Sequence, residues 1–140
     1  MADLTVTAAS VVAGTNATID RGTAGATITA GQLLYLDTSV TPSTYKLCDS
    51  DSATAIVRTP VGIALNGASS GQPLSVLTSG PINPGATVTV GRVYVASDTA
   101  GGIMEVGDLE IGDYVSVVGI GTTTSNINVQ FIVSGVAVLA

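Results

Sequence analysis

The sequence predicts an all-β fold: a compact β-sandwich or β-barrel, built from two similar β-units and preceded by an extended N-terminal arm. Three observations lead there. Short runs alternate apolar with small or polar residues at period two, the pattern of a strand with one buried face. Clusters of Gly, Pro, Asn and Ser separate these runs. A glycine-bounded word near the start of the chain is also echoed in its second half.

Taken in order, residues 1–21 are rich in Ala, Thr and Val, with a short alternation at Leu4, Val6 and Ala8. They read as the arm, because a terminus is often ordered only when something ties it down. Strand patterns follow at Thr27-Ile28-Thr29-Ala30, Val61-Gly62-Ile63-Ala64-Leu65, Thr87-Val88-Thr89-Val90 and Ile127-Asn128-Val129-Gln130-Phe131. Turns are expected at Asn66-Gly67, Ser70-Gly71, Ser79-Gly80-Pro81, Asn83-Pro84-Gly85 and Ala100-Gly101-Gly102. No helical periodicity is sustained, and short strands at this spacing belong to sandwiches and barrels.

The echo divides the domain. Gly25-Ala26-Thr27-Ile28-Thr29-Ala30-Gly31 recurs as Gly85-Ala86-Thr87-Val88-Thr89-Val90-Gly91, an offset of 85 − 25 = 60. Each copy soon reaches a tyrosine strand, Leu34-Tyr35-Leu36 or Val93-Tyr94-Val95. Val61-Gly62-Ile63 is echoed by Val118-Gly119-Ile120 and Thr78-Ser79-Gly80 by Val133-Ser134-Gly135, at offsets of 57 and 55. Two copies are too few for a solenoid, so residues 22–140 read as one β-domain whose units, about 22–82 and 83–140, share a core.

Composition narrows the chemistry. The chain has 140 residues, enough for one domain with a sizeable core. It is 46% hydrophobic but only 4% aromatic and 10% charged, with no Trp. Apolar runs are interrupted long before the ~20 residues that a spanning helix needs, so no membrane partner is expected. Four basic against ten acidic residues give a net charge of −6 with no basic run, which argues against nucleic acid. The absence of His removes imidazole bases, His-paired nucleophiles and His-ligated metals. The lone Cys48 forms no intrachain disulfide and reads as a small buried hydrophobe. Met1-Ala2-Asp3 opens no secretory signal, and no cofactor is expected.

Several motifs read as structural rather than chemical. Asp49-Ser50-Asp51-Ser52 opens like a calcium loop, but Thr54 and Pro60 stand where the turn glycine and bidentate Glu are needed. Gly119-Ile120-Gly121 begins a dinucleotide fingerprint that Thr124 breaks, and no helix follows. Asp108, Glu110 and Asp113 offer paired carboxylates for glycoside chemistry, with solvated loop charges as the favoured reading. Asn16-Ala17-Thr18 matches a glycosylation sequon, which carries weight only in a secreted chain. Tyr35, Tyr94 and Tyr114 are packing or subunit-interface candidates, each with a hydroxyl for a wet edge.

Four strings carry a resemblance: Ala-Gly-Gln-Leu-Leu-Tyr-Leu-Asp (30–37), Pro-Val-Gly-Ile-Ala-Leu-Asn-Gly-Ala (60–68), Gly-Gln-Pro-Leu-Ser-Val (71–76) and Gly-Asp-Tyr-Val-Ser-Val-Val-Gly (112–119). From about Gly22 onward the chain resembles the small capsid decoration, or cement, proteins of tailed bacteriophages. The resemblance implies a structural virion protein, made in the host cytoplasm, that binds the major capsid protein on the outer capsid surface and stabilises the head. It also implies a β-tulip-like form of the β-domain, a homotrimer and no catalysis. The arm is then a candidate clamp, with Leu4, Thr5, Val6 and Thr7 lending a strand to a capsid sheet edge. The alternative is a carbohydrate- or cell-surface-binding β-module of a phage fibre or bacterial adhesive protein, which shares the composition but usually needs a ring face for sugars. An enzyme using the acidic residues near Asp108 is the weakest reading.

Overall fold

The computed structural model describes residues 3–139. Ten strands follow one another: β1 (Val11–Ala13), β2 (Thr18–Thr23), β3 (Leu33–Asp37), β4 (Thr44–Leu47), β5 (Gly62–Ala64), β6 (Pro73–Pro84), β7 (Val93–Ala96), β8 (Ile103–Glu105), β9 (Tyr114–Gly121) and β10 (Ile127–Ala137). Among the described residues the only helical turns are short 3-10 segments at Ala8–Ser10, Ala55–Arg58 and Val106–Asp108. All strand pairs are antiparallel, in the order β4-β3-β5-β6-β10-β9-β7-β8, with β1 and β2 also on β6. The sheet curls into a half-barrel, so the expected all-β class is the observed one.

The strand order reads the same from either end. β3 to β6 and β7 to β10 are arranged alike and meet at β6 and β10, where Ile82 stands opposite Ile127. Turn bonds repeat as well. Gly31 N–H donates to Ala64 O and Ala64 N–H to Gln32 O; Gly91 N–H donates to Gly121 O and Gly121 N–H to Arg92 O. Gly31 and Gly91 have φ of +91° and +77°, the left-handed region that glycine enters without a Cβ penalty, so the echoed glycines are turn requirements. Ile28 N–H donates to Ala68 O as Val88 N–H does to Thr124 O.

Four details differ from the sequence expectation. The turn expected at Ser79-Gly80-Pro81 lies within β6, which runs on to Pro84. Thr27–Ala30 alternates, with Ile28 and Ala30 buried, and Thr87–Val90 does so only in part, Val88 being 2% and Val90 59% exposed; both are covers rather than strands, Ile28 making a single bridge to Ala68. Gly80 and Gly135 both have positive φ but are not counterparts in the sheet. Ile63 pairs with Leu77 and its counterpart Ile120 with Asn128, so the ladder offset is 128 − 77 = 51 rather than 55. The shorter connection between β9 and β10 accounts for the change.

The fourth concerns the arm, which is extended but not free. β1 and β2 run antiparallel along β6, from Val11 opposite Pro84 to Thr23 opposite Pro73. The reason is local: β6 is twelve residues long, and β5 and β10 flank it only in part. Its remaining backbone groups need partners, and the N-terminal segment supplies them. Leu4, Val11, Ala13 and Ala17 then pack on the core.

Two clusters form that core. One lies within the first half and includes Ile28, Leu34, Tyr45, Leu74 and Val76. The larger is shared: Leu33, Ile63 and Leu77 from the first half meet Val88, Tyr94, Val118 and Ile127 from the second.

Candidate functional site

Directly paired residues on neighbouring strands point to the same side of a sheet. In the first half one such row is Leu33, Ile63 and Leu77, and all three are fully buried in the shared core. The matching row of the second half is Val93, Ile120 and Asn128. There Ile120 is 50% exposed and Asn128 is exposed. Val117 pairs with Ile132, which is 57% exposed, and a shallow surface lined by Val117, Gly119, Ile120, Asn128, Gln130 and Ile132 results. No side chain from Tyr114 to the C-terminus is charged.

The strand continues outward from there. Beyond Val129, β10 pairs with β9 and no longer with β6, and bulges interrupt its register after Val129 and after Val133. Bulges and twist of this kind disfavour indiscriminate edge pairing. Val133, Val136 and Leu139 remain exposed along it, and Ile111 is exposed close by, where Gly112 N–H donates to Val138 O.

The clamp candidates divide between two sides. Leu4 and Val6 are half-buried, Leu4 against the shared core and Val6 against Gly31, whereas Thr5 and Thr7 are exposed. Two of their backbone donors are already used, Leu4 N–H on Ile103 O at 2.8 Å and Thr7 N–H on Gly85 O at 2.8 Å. A strand lent whole to another sheet would have to break these bonds.

No family model matches the chain, and no curated protein is similar to it.

The three tyrosines have distinct places. Tyr94 is wholly buried, and its hydroxyl accepts the Thr89 N–H at 2.9 Å. Tyr35 is buried on β3. Tyr114 is half-buried beneath Arg58, whose guanidinium carbon lies 3.6 Å from the ring centroid, a cation–π geometry.

The acidic groups are arranged differently from the sequence expectation. Asp113 is 3% exposed rather than solvated, and one of its oxygens accepts the Glu110 N–H at 2.9 Å. Its carboxylate lies within 4.8 Å of those of Asp51 and Asp98, a meeting of three distant segments. Burial, then its hydrogen bond with Asp51 and the charges of Asp51 and Asp98, pushes Asp49 up to about 6. Asp98 is raised by burial and by the charges of Asp113, Asp51 and Asp3. A hard cation of the calcium type takes roughly six to eight oxygen ligands, of which the three carboxylates supply only part. Asp37 is the opposite case: the Lys46 ammonium at 2.7 Å and Ser39 hold it down at about 2.

Cys48 is wholly buried in the core, and burial with the nearby Asp49 charge pushes its thiol up to about 12, so it is not a nucleophile at neutral pH. An open groove beside β2 is lined by Ile19, Arg21, Leu65, Asn66, Pro73 and Leu74, with no aromatic ring. Reading the sequence alone missed the exposed row at Ile120 and Ile132. The signal available was the charge-free run after Asp113.

Proposed function

We propose that the chain is a capsid decoration protein, a structural virion component that binds the major capsid protein on the outside of a phage head as a homotrimer and does no chemistry. One observation carries the reading. The strings that resemble cement proteins are the framework of both halves, Ala30–Asp37 forming β3 with its turn, Pro60–Ala68 enclosing β5, Gly71–Val76 opening β6 and Gly112–Gly119 opening β9.

The remaining features suit the role. Binding across neighbouring capsid subunits stabilises the lattice because that free energy exists only while the subunits stay together. This needs an adhesive surface, and Val133, Val136 and Leu139 are exposed along the outer part of β10 and just beyond it. Thr5 and Thr7 are the parts of the proposed clamp free to meet another protein. The carbohydrate-binding alternative has less support, since the groove beside β2 offers no ring face for a sugar to stack on.

The test is composition of purified virions, followed by adding the protein to heads that lack it. A stoichiometric presence and a gain in head stability on addition are expected. Absence from virions together with no binding to bare heads would overturn the reading.

A further inference from the structure

We infer that the outer face of β9 and β10, centred on Ile120 and Ile132, is an interface with a second copy of this chain. The two halves present the same sheet row, and in the first half Leu33, Ile63 and Leu77 are buried because the other half covers them. In the second half the row holds Val93 and Ile120, extended by the Val117–Ile132 pair; its β7 side is half-buried at Val93 and buried at Val95, opposite Val117, whereas Ile120 and Ile132 stay 50% and 57% exposed and no described residue covers them. The fold thus contains its own example of what such a face is built to meet, namely another β-unit of the same kind.

Two further observations select a second copy as the occupant. The first is electrostatic. Each copy carries a net charge of −6, so copies repel one another through most surfaces. No residue lining this face has a charged side chain, so two copies can approach through it without opposing like charges. The second is continuity. The β6–β10 seam already joins the two halves through Ile82 and Ile127, and the uncovered surface begins where that seam ends at Val129. Asn128 and Gln130 lie among the aliphatic side chains and offer polar groups for register, as polar residues do within oligomer interfaces.

The inference supplies the proposed homotrimer with a contact surface, yet it rests on the sheet geometry, and its test involves no capsid. Analytical ultracentrifugation of the full chain over a broad concentration series should give a mass well above the 13.8 kDa of one chain. The double variant Ile120→Ser/Ile132→Ser should sediment as one chain with an unchanged far-UV circular dichroism spectrum. Val90→Ser, another exposed apolar site outside the face, should retain the oligomer. Hydrogen exchange of the unaltered protein provides a reading independent of any variant: amides at 117–120 and 128–133 should gain protection as concentration rises. A wild-type chain that stays monomeric, or protection gained elsewhere and not here, overturns the inference. Failure on heads with this result intact would remove only the capsid role.

Discussion

Ile63 and Ile120 occupy the same position in the two halves, each opposite the first residue of a tyrosine strand, yet Ile63 is fully buried and Ile120 is half exposed. Sequence and local backbone are alike at the two sites, so the difference comes from what lies over them. For the dissociated chain, Ile63→Ala should cost about 2–5 kcal/mol, the range for truncating a packed aliphatic side chain. Ile120→Ala should change stability by no more than about 0.5 kcal/mol, as at other surface sites. Urea unfolding at low protein concentration measures both. Equal losses would mean that the second face is covered within the monomer.

Tyr94 tests the shared core from its polar side. The ring is fully buried, and the hydroxyl accepts the Thr89 N–H across the turn that carries the repeated word. Tyr94→Phe keeps the packing and removes the acceptor, so a loss of about 1 kcal/mol is expected. Tyr94→Ala should cost about 3–5 kcal/mol. Tyr114→Phe leaves the ring under Arg58 and should be close to neutral. Chemical denaturation of the three variants separates these sizes.

These contrasts mark what the sequence could carry. Gly31 and Gly91, with Ile28 and Val88 before them, were legible because a turn glycine and an alternating cover are local requirements. Thr27–Ala30 alternates like a strand but lacks a ladder, because alternation reports which side chains are buried and not which backbone groups are paired. The docking of β1 and β2 on β6 joins residues 50 (73 − 23) to 73 (84 − 11) apart in the chain, and Asp113 meets Asp51 and Asp98 only after three segments converge. No local pattern encodes such meetings. Ile120 was hardest of all, since its exposure depends on a covering layer that the first half has and the second lacks.

Stability should depend on acid in two opposing ways. Asp37 is held at about 2 by Lys46 and Ser39, so its contribution is present above the ordinary carboxylate value of 3.8 and is lost as pH falls toward 2. Asp49 is raised to about 6, so the folded chain binds its proton more tightly than the unfolded one. Its contribution is full below the ordinary value and declines as pH rises through about 6. Melting temperature should therefore peak between these limbs. Asp37→Asn should flatten the acid limb, and Asp49→Asn the limb near pH 6. A profile unchanged in Asp49→Asn would show that the carboxylate crowding does not govern that limb.

The N-terminal segment gives the sharpest test of how the fold and the proposed role are divided. A free arm could be removed without harm, but this one covers β6 from Pro73 to Pro84 and places Leu4, Val11, Ala13 and Ala17 on the core. Deleting residues 2–20 should therefore unfold or strongly destabilise the chain, because it strips β6 of a pairing edge and bares apolar surface together. Deleting residues 2–7 removes the Asp3 carboxylate that accepts the Ser97 hydroxyl, the Leu4 and Thr7 backbone bonds to Ile103 and Gly85, and the half-buried side chains of Leu4 and Val6. Each of these two side chains is worth less than the ~1.5–3 kcal/mol of a fully buried aliphatic side chain, so a folded but weakened chain is expected. Melting of the two deletions separates these outcomes, and a 2–20 deletion that melts like the full chain would restore the free arm. Capsid contact is tested without touching the core by Thr5→Glu/Thr7→Glu, since both threonines are exposed. This variant should keep the parent melting temperature and lose retention on heads. Undiminished retention would move the capsid contact to the loops of the β-domain.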